Sequence, residues 1–584
     1  MEHTNTCACT CNASAASAAC AACAAPAAPA ATLIENARVY ADTNRFEEAI
    51  LIVGDTIRAV GPAEALRRAA PEGTRTIDAR GRLVIPGFND SHCHLMSAGR
   101  TLDEIDLQRV RSLEEMLATI RAYLEAHPTA PGTVLHGRGW NHDFFTDVAR
   151  MPLAADLDSV APDVGLVLER TCGHVAVANT VAMRAAGITR DTLPNAGGDI
   201  GHDEAGEPNG IFAENALSQI YAAIPPVDRA ARRRHLRAAL RHAAASGVTS
   251  VHTMDVQGDN WQATLEDYDT VLAELPTLRV NHQMCFMTPE LLENFLASGL
   301  RTGDAAGATG NRLNRVGPLK LFVDGSLGAR TAFLRAPYRD DPTTSGIATL
   351  TPAELSTLVD RAVAAGLQTT IHAIGDGAIE RVIDAYEAHT TENAGSGSNP
   401  ARLGIVHVQI TDRALLERMA RRSILAHVQP IFLQYDTTIV EDRVGPELAA
   451  TSYAFRTMEA LGIPVSYGTD SPVEDLNPWQ NLASAVTRTR FEGNAAPWHP
   501  EECVTVADAI DAYTTGSAFA SFEEQTKGRL LPGYLADLVV CDTDLFALPA
   551  EDLTHRIANT RAVLTMTGGR IVWNTEGDAD VNFD

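Results

Sequence analysis

The sequence predicts an α/β fold: a parallel (β/α)8 TIM barrel carrying a small β-sandwich domain built from both chain ends. Three observations carry this. Eight short β-branched or apolar runs follow one another through the middle of the chain, several separated by segments with helical spacing. Short strand signals with Gly turns cluster at the two termini, as when chain ends meet in one domain. Polar residues, histidines above all, sit at or near the ends of several runs, where a barrel gathers its functional side chains.

Residues 1–31 are Ala, Cys, Ser and Pro, with almost nothing to pack, and are expected to be a disordered tail without the features of a secretory signal. This tail holds five of the ten cysteines. The others (Cys93, Cys172, Cys285, Cys503, Cys541) are scattered, which is no disulfide framework and fits a reducing cytoplasm. From Thr32 the texture changes to strands: TLIENARVY, EAILIVGDTIRAVGP and GTRTIDARGRLVIPG. GRLLPGYLADLVVCD and RAVLTMTGGRIVWN mirror them at the far end. Residues 32–86 and 526–584 therefore form the composite β domain, and 87–525 the barrel.

The barrel begins in VIPGFNDSHCHL, an apolar run that turns polar at Asn89 and ends with His92 and His94. Side chains at i and i+2 leave a strand on one face, so the pair offers a metal ion two ligands, or simply closes a strand end. The later runs are GVTSVHTM, LRVNHQMCF, VGPLKLFVDG, QTTIHAIGD, RLGIVHVQ, SILAHVQP and IPVSYGTDSP. About 150 residues separate the first two, far more than a βα loop needs. Residues 100–235 are read as an inserted cap subdomain, with helices, strands and a Gly-rich turn region of its own.

Along these strands lie His92, His94, Lys320, His372, His407 and Asp470, a set of donors suited to one or two divalent ions. Lys320 and Lys527 are the only lysines in 584 residues. Within LKLFVDG, burial favours a neutral Lys320 amine, which can add carbon dioxide to give a carbamate that bridges metals. The alternative is a pair with Asp324. His252 and His282 also lie on barrel strands, and a structural role is expected for each. The net charge of −27 argues against a nucleic-acid partner, which needs a basic face, and equally disfavours anionic membranes. No apolar run is long enough for a transmembrane helix.

The segments VIPGFNDSHCHL, LKLFVDGSLGARTA, HAIGD, GTDSPV and KGRLLPGYLADLVV together resemble the amidohydrolase superfamily, in the subgroup that includes N-substituted formamide deformylase. The resemblance implies a metal-dependent hydrolase of a non-peptide carbon–nitrogen bond and a divalent metal, usually zinc. His92, His94 and Asp470 would hold one ion and His372 and His407 another, with carboxylated Lys320 bridging them. Asp470 would move the proton. Val406 and His427 depart from the subgroup's pattern and leave the number of ions open. His174 in the cap, Asp324 and Arg330 on the fourth loop, and His427 are the substrate-binding candidates. A small amide-type molecule is the expected partner, and a homodimer the default oligomer. A lactone, ester or imide hydrolase, or a non-catalytic regulatory protein, would share the fold.

Overall fold

The computed structural model describes residues 30–577 and 580, apart from 103, 171–174, 196–197, 226, 393–396 and 494–495. Eight strands form one parallel sheet at its centre. They are β1 (Phe88–Cys93), β2 (Val248–Thr253), β3 (Arg279–Cys285), β4 (Asn314–Phe322), β5 (Thr369–Ala373), β6 (Gly404–His407), β7 (Leu425–Val428) and β8 (Val465–Tyr467). Each strand pairs with the next in chain order. The ring closes just past β8, where the Asp470 amide donates to the His92 carbonyl at 2.8 Å and the His94 amide to the Ser471 carbonyl at 2.7 Å. The approach is tight: a Cβ on Gly468 would lie 2.6 Å from the His92 amide nitrogen, so only glycine fits there.

The strands are shorter than the runs that signal them, because the polar ends already belong to the loops and helices that follow. QTTIHAIGD becomes Thr369–Ala373, and the next helix starts at Asp376. The helix Pro352–Ala364 begins as its sequence directs, with Thr351 and Glu354 in a reciprocal capping box and Pro352 in the first turn. VIPGFNDSHCHL is divided between two sheets. Leu83–Pro86 pairs with Leu538–Cys541, and the barrel strand starts only at Phe88.

The terminal strands make two sheets. One joins Thr56–Gly61, Ala49–Val53, Ala31–Glu35 and Arg75–Asp78. The other runs Arg570–Asn574, Ala562–Thr567, Leu538–Cys541, Leu83–Pro86, Arg38–Asp42, Arg45–Glu47, and so takes strands from both chain ends. Ile34, Ile50, Ile52, Val84, Leu538 and Met566 fill the core between them. GRLLPGYLADLVVCD yields a strand only at Leu538–Cys541, since Gly533 (φ +89°) turns the chain before it. Between β1 and β2 the chain forms a separate six-stranded sheet, from Ile105–Asp106 to Gly198–His202, and returns through the helix Arg229–Ser246. A cleft of about 400 Å³ runs beside this insertion, lined by Glu104 and Arg138 on its side and by Ser471 and Glu474 beyond β8. The Cys-rich tail lies outside the described residues but for its last two positions. Among the described residues no helix is long and apolar enough to cross a membrane.

Candidate metal centre

At the C-terminal ends of β1 and β6 and just past β8, one ligand atom each from His92, His407 and Asp470 lies within 4.8 Å of the other two, all three residues being buried. His92 and His94 both turn Nε2 toward the same carboxylate oxygen, Asp470 Oδ1, at 3.2 and 3.1 Å. The rings of His372 and His407 are 4.4 Å apart between centroids, and those of His92 and His407 5.7 Å. Two of these positions have constrained backbones: His407 (φ +83°) and Asp470 (φ +57°) are non-glycine residues in left-handed conformations. Such conformations gather at functional sites, where surrounding packing enforces them.

The histidines are oriented by a second set of contacts. His92 Nδ1 meets Gln283 Oε1 at 2.6 Å, and Gln283 in turn donates its amide to the Ser91 carbonyl at 3.0 Å. His407 Nδ1 meets Gln429 Oε1 at 2.7 Å, and Gln429 donates to the His427 carbonyl at 3.1 Å. His94 Nδ1 meets the Met254 carbonyl at 3.2 Å. Each partner atom accepts, so the Nδ1 of His92 and of His407 carries the hydrogen and their Nε2 keeps a lone pair, whereas His94 also donates from Nε2 to Asp470 Oδ1 at 3.1 Å. Burial drives His92 down to about 4, with Lys320 adding to the effect, and His407 well below its ordinary value. Both are therefore neutral near pH 7. Burial also lowers His94, but the hydrogen bond and charge of Asp470 reverse this and leave it raised. Asp470 would be raised by burial, yet the ring of imidazoles around it, with His94 donating a hydrogen bond, leaves it well below the usual carboxylate range.

A neutral His92 with its hydrogen on Nδ1 places a bare lone pair 3.2 Å from an ionised carboxylate oxygen. Two acceptors face each other there, and a cation between them resolves the repulsion. A tetrahedral ion with bonds of about 2.0–2.1 Å holds its ligand atoms roughly 3.3 Å apart, close to the observed separations. His407 Nε2 is also buried with no hydrogen-bond partner. The donor set thus fits a divalent ion.

Lys320, on β4, is fully buried, and its Nζ has no hydrogen-bond partner and lies 4.1 Å from the centroid of the Phe322 ring. Burial lowers its pKa to about 8, against the charges of Asp470, Cys285 and Asp324. His372 is at the centre but angled away, its Nε2 3.0 Å from the Gly325 carbonyl and 3.3 Å from Asp324 Oδ1.

The substrate-contact candidates fare differently. Asp324 is buried and accepts the amides of Phe333, Ile374 and Gly375, so it pins the fourth and fifth loops rather than facing a ligand. Arg330 forms a two-pronged pair with Asp340, at 3.1 and 2.8 Å. His427 is inside the barrel, 2 % exposed, with Nδ1 2.7 Å from Ser466 Oγ. Neither Arg330 nor His427 is presented to the centre as a free donor. His174 lies outside the described residues.

Sequence reasoning passed over Gln283, Gln429 and Asp90. Asp90 is fully buried two residues before His92; it accepts the Thr469 amide at 3.1 Å, its hydroxyl at 2.8 Å and the Tyr513 hydroxyl at 3.2 Å. It thereby ties the segment carrying Asp470 to the strand carrying His92. A carboxylate inside an apolar strand is the one signal that could have marked it.

Comparison with known proteins agrees with this geometry. An amidohydrolase family model matches residues 75–573, and an imidazolonepropionase-like composite domain of bacteria matches residues 49–72. The chain is 32 % identical over 536 residues to YtcJ of Bacillus subtilis, which has amidohydrolase in its name, covering 90 % of this chain and 96 % of that one. It is 26 % identical over 554 residues to the N-substituted formamide deformylase of Arthrobacter pascens, covering 93 % and 98 %. A crystal structure of an uncharacterized metal-dependent hydrolase from Pyrococcus furiosus superposes with a TM-score of 0.69 at 29 % identity, covering 88 % of this chain and 99 % of that one. By sequence, by fold and by the donor set at the barrel mouth, this chain belongs to the amidohydrolase family.

Proposed function

We propose that the protein hydrolyses a carbon–nitrogen bond next to a carbonyl, in a small amide or N-formyl amine, at a centre loaded with zinc or a similar divalent ion. The observation that carries the metal is the pair of facing acceptors, His92 Nε2 and Asp470 Oδ1. The ion's positive charge would polarise the carbonyl and bring the pKa of water toward ~7. Asp470 accepts the attacking water's proton and returns it to the departing amine, a role that suits a carboxylate held ionised against the reacting atoms. His92, His94 and His407 would hold the ion, each ring being fixed from behind by its Nδ1 contact. The compact set His92–His407–Asp470 supports at least one ion. With His372 and a carboxylated Lys320, the same pocket could accommodate a second.

The choice of bond rests on the similarity to the formamide deformylase. Glu104, Arg138 and Glu474 along the cleft are our candidates for shaping the substrate's remote end, in place of Arg330 and His427. We assign the protein to the cytoplasm and to a homodimer on the grounds given by its cysteines and by the prevalence of that state. The test is a panel of N-formyl amines, N-acyl amines, lactones and cyclic imides offered to the zinc-loaded protein and to Asp470→Asn. Release of amine by the wild type alone supports the reading. Turnover confined to lactones would refute the carbon–nitrogen assignment, and unchanged turnover in Asp470→Asn would refute the role of Asp470.

A further inference from the structure

The interior of this barrel below the metal centre is polar, whereas barrel interiors are ordinarily filled by branched apolar side chains. Aligned residues on neighbouring parallel strands share a face. Asn89 is aligned with Ser250, His252 with Asn281, Lys320 with Thr370, Thr370 with Gly404, and His427 with Ser466. These faces look to the barrel axis. His252 on β2 and His427 on β7 come from distant parts of the ring, and both are buried. The His427 ring also crosses over Gly404, where a Cβ would meet its Nε2 at 2.4 Å.

Along this axis Asn89 Nδ2 and Oδ1, Ser91 Oγ, His252 Nε2, Asn281 Nδ2, Lys320 Nζ and Thr370 Oγ1 are buried without a hydrogen-bond partner. Such atoms are rare in folded proteins, and water is the usual partner when several lie together. At the far end, Lys527 Nζ donates to Ser250 Oγ at 2.8 Å and pairs with Glu523 at 2.6 Å. Glu523 also pairs with Arg315, and these two line an open cavity of about 900 Å³ at the opposite mouth. The chain's two lysines thus stand at the two ends of one polar path.

We infer that the barrel axis holds a column of ordered water, from the floor of the metal centre at Lys320 to the Lys527–Glu523 pair, joining the centre to the solvent cavity at the opposite mouth. The inference does not depend on which bond the enzyme cleaves. Substrate and cap occupy one mouth, and the column gives solvent a second route to the centre.

Oxygen-17 relaxation dispersion on the metal-loaded protein counts internal waters and their residence times, and a high-resolution crystal structure locates them. Thr370→Val, a near-isosteric change, should lose at least one of these waters without raising the melting temperature. Ser250→Val, at the lower end, should lengthen residence of the remaining waters at least tenfold. An axis without ordered water, together with a higher melting temperature in Thr370→Val, would mean that the orphaned atoms are dry and would overturn the column. Unchanged residence times in a folded Ser250→Val would overturn the link to the lower cavity. Should Ser250→Val not fold, the wild-type crystal structure and Thr370→Val still decide whether the column exists.

Discussion

Gln429→Leu isolates the contribution of a residue that touches the proposed ligand only from behind. In the folded protein Gln429 Oε1 accepts from His407 Nδ1 at 2.7 Å, and its own amide is fixed by the His427 carbonyl at 3.1 Å. Gln429 and His407 are 3 and 2 % exposed, so no bulk water can replace the lost acceptor. Leucine fills similar volume but leaves the Nδ1 hydrogen unpaired, at a cost of about 1–3 kcal/mol. The ring can shed that cost by moving its hydrogen to Nε2, which removes the lone pair the metal needs. Either way, divalent-ion affinity should fall about 10–100-fold, the usual effect of deleting a ligand's supporting partner. Zinc affinity is read by competition with a chromophoric chelator, and cobalt substitution reports the coordination geometry through its visible spectrum. Gln429→Glu, which keeps an acceptor at that place, should bind zinc within a few-fold of wild type and clearly more tightly than Gln429→Leu. Affinity for zinc within twofold of wild type in Gln429→Leu would refute both the tautomer argument and the placement of His407 in the ligand set.

Four further outcomes follow from the same geometry. Asp470→Asn should lower kcat by about 10²–10⁴, the range for a lost proton-transfer group, with weaker metal binding measured alongside. Arg330→Ala should change kcat/KM no more than a few-fold, because its guanidinium is engaged by Asp340; a loss of a hundredfold would return Arg330 to the substrate site. Burial raises Glu523, but Lys527 and Arg315 outweigh it and hold it at about 2, below the ordinary 4.5. This depressed carboxyl contributes stability above pH 4.5 that is lost as pH falls toward 2, although the burial that lowers Lys527 offsets part of the gain. Glu523→Gln should flatten that part of the melting-temperature profile, and an unchanged slope would show that the pair contributes nothing. Lys320, lowered to about 8, is a cation below that pH and neutral above it. Zinc affinity should therefore climb as pH rises toward 8, beyond what the histidines explain, and Lys320→Met should abolish that extra slope.

The ring of strands was legible because a barrel writes one short apolar run per strand, and parallel strands buried on both faces read as such runs. His92, His94, His407 and Asp470 stood out as candidates for a related reason: a polar residue at or just past the end of an apolar run contrasts with what precedes it. What sits behind the ligands was not legible. Gln283 and Gln429 lie in strands or just beyond them, look like any polar residue, and acquire meaning only when the closed barrel brings Gln283 to His92 and Gln429 to His407. His427, a substrate-binding candidate that a strand also explains, is a hydrogen-bonded strand histidine. Its position near a strand end suggested the mouth, but the strand's register turns it to Ser466 and over Gly404. Arg330 misled because a loop arginine near the site gives no sign in one dimension that an aspartate ten residues later already holds it.

The buried charges show why the lysine and the metal belong to one account. At neutral pH, His92 and His407 bring no charge, Asp470 brings one negative charge, and Lys320, buried without an acceptor for its hydrogens, brings one positive charge. Without an ion these nearly balance. A dication at His92–His407–Asp470 would leave the centre with a surplus of positive charge at low dielectric, where repulsion is strong and little screened. Loss of the Lys320 proton removes one charge, and carboxylation of the neutral amine would turn the residue into an anion and bring the sum close to zero. A methionine or leucine at position 320 would pack better against Phe322 than an unpartnered ammonium does. The lysine makes physical sense here as the group that changes its charge when the metal arrives. In a chain that uses arginine for nearly every other cation, this requirement accounts for its presence, because a guanidinium cannot give up its proton.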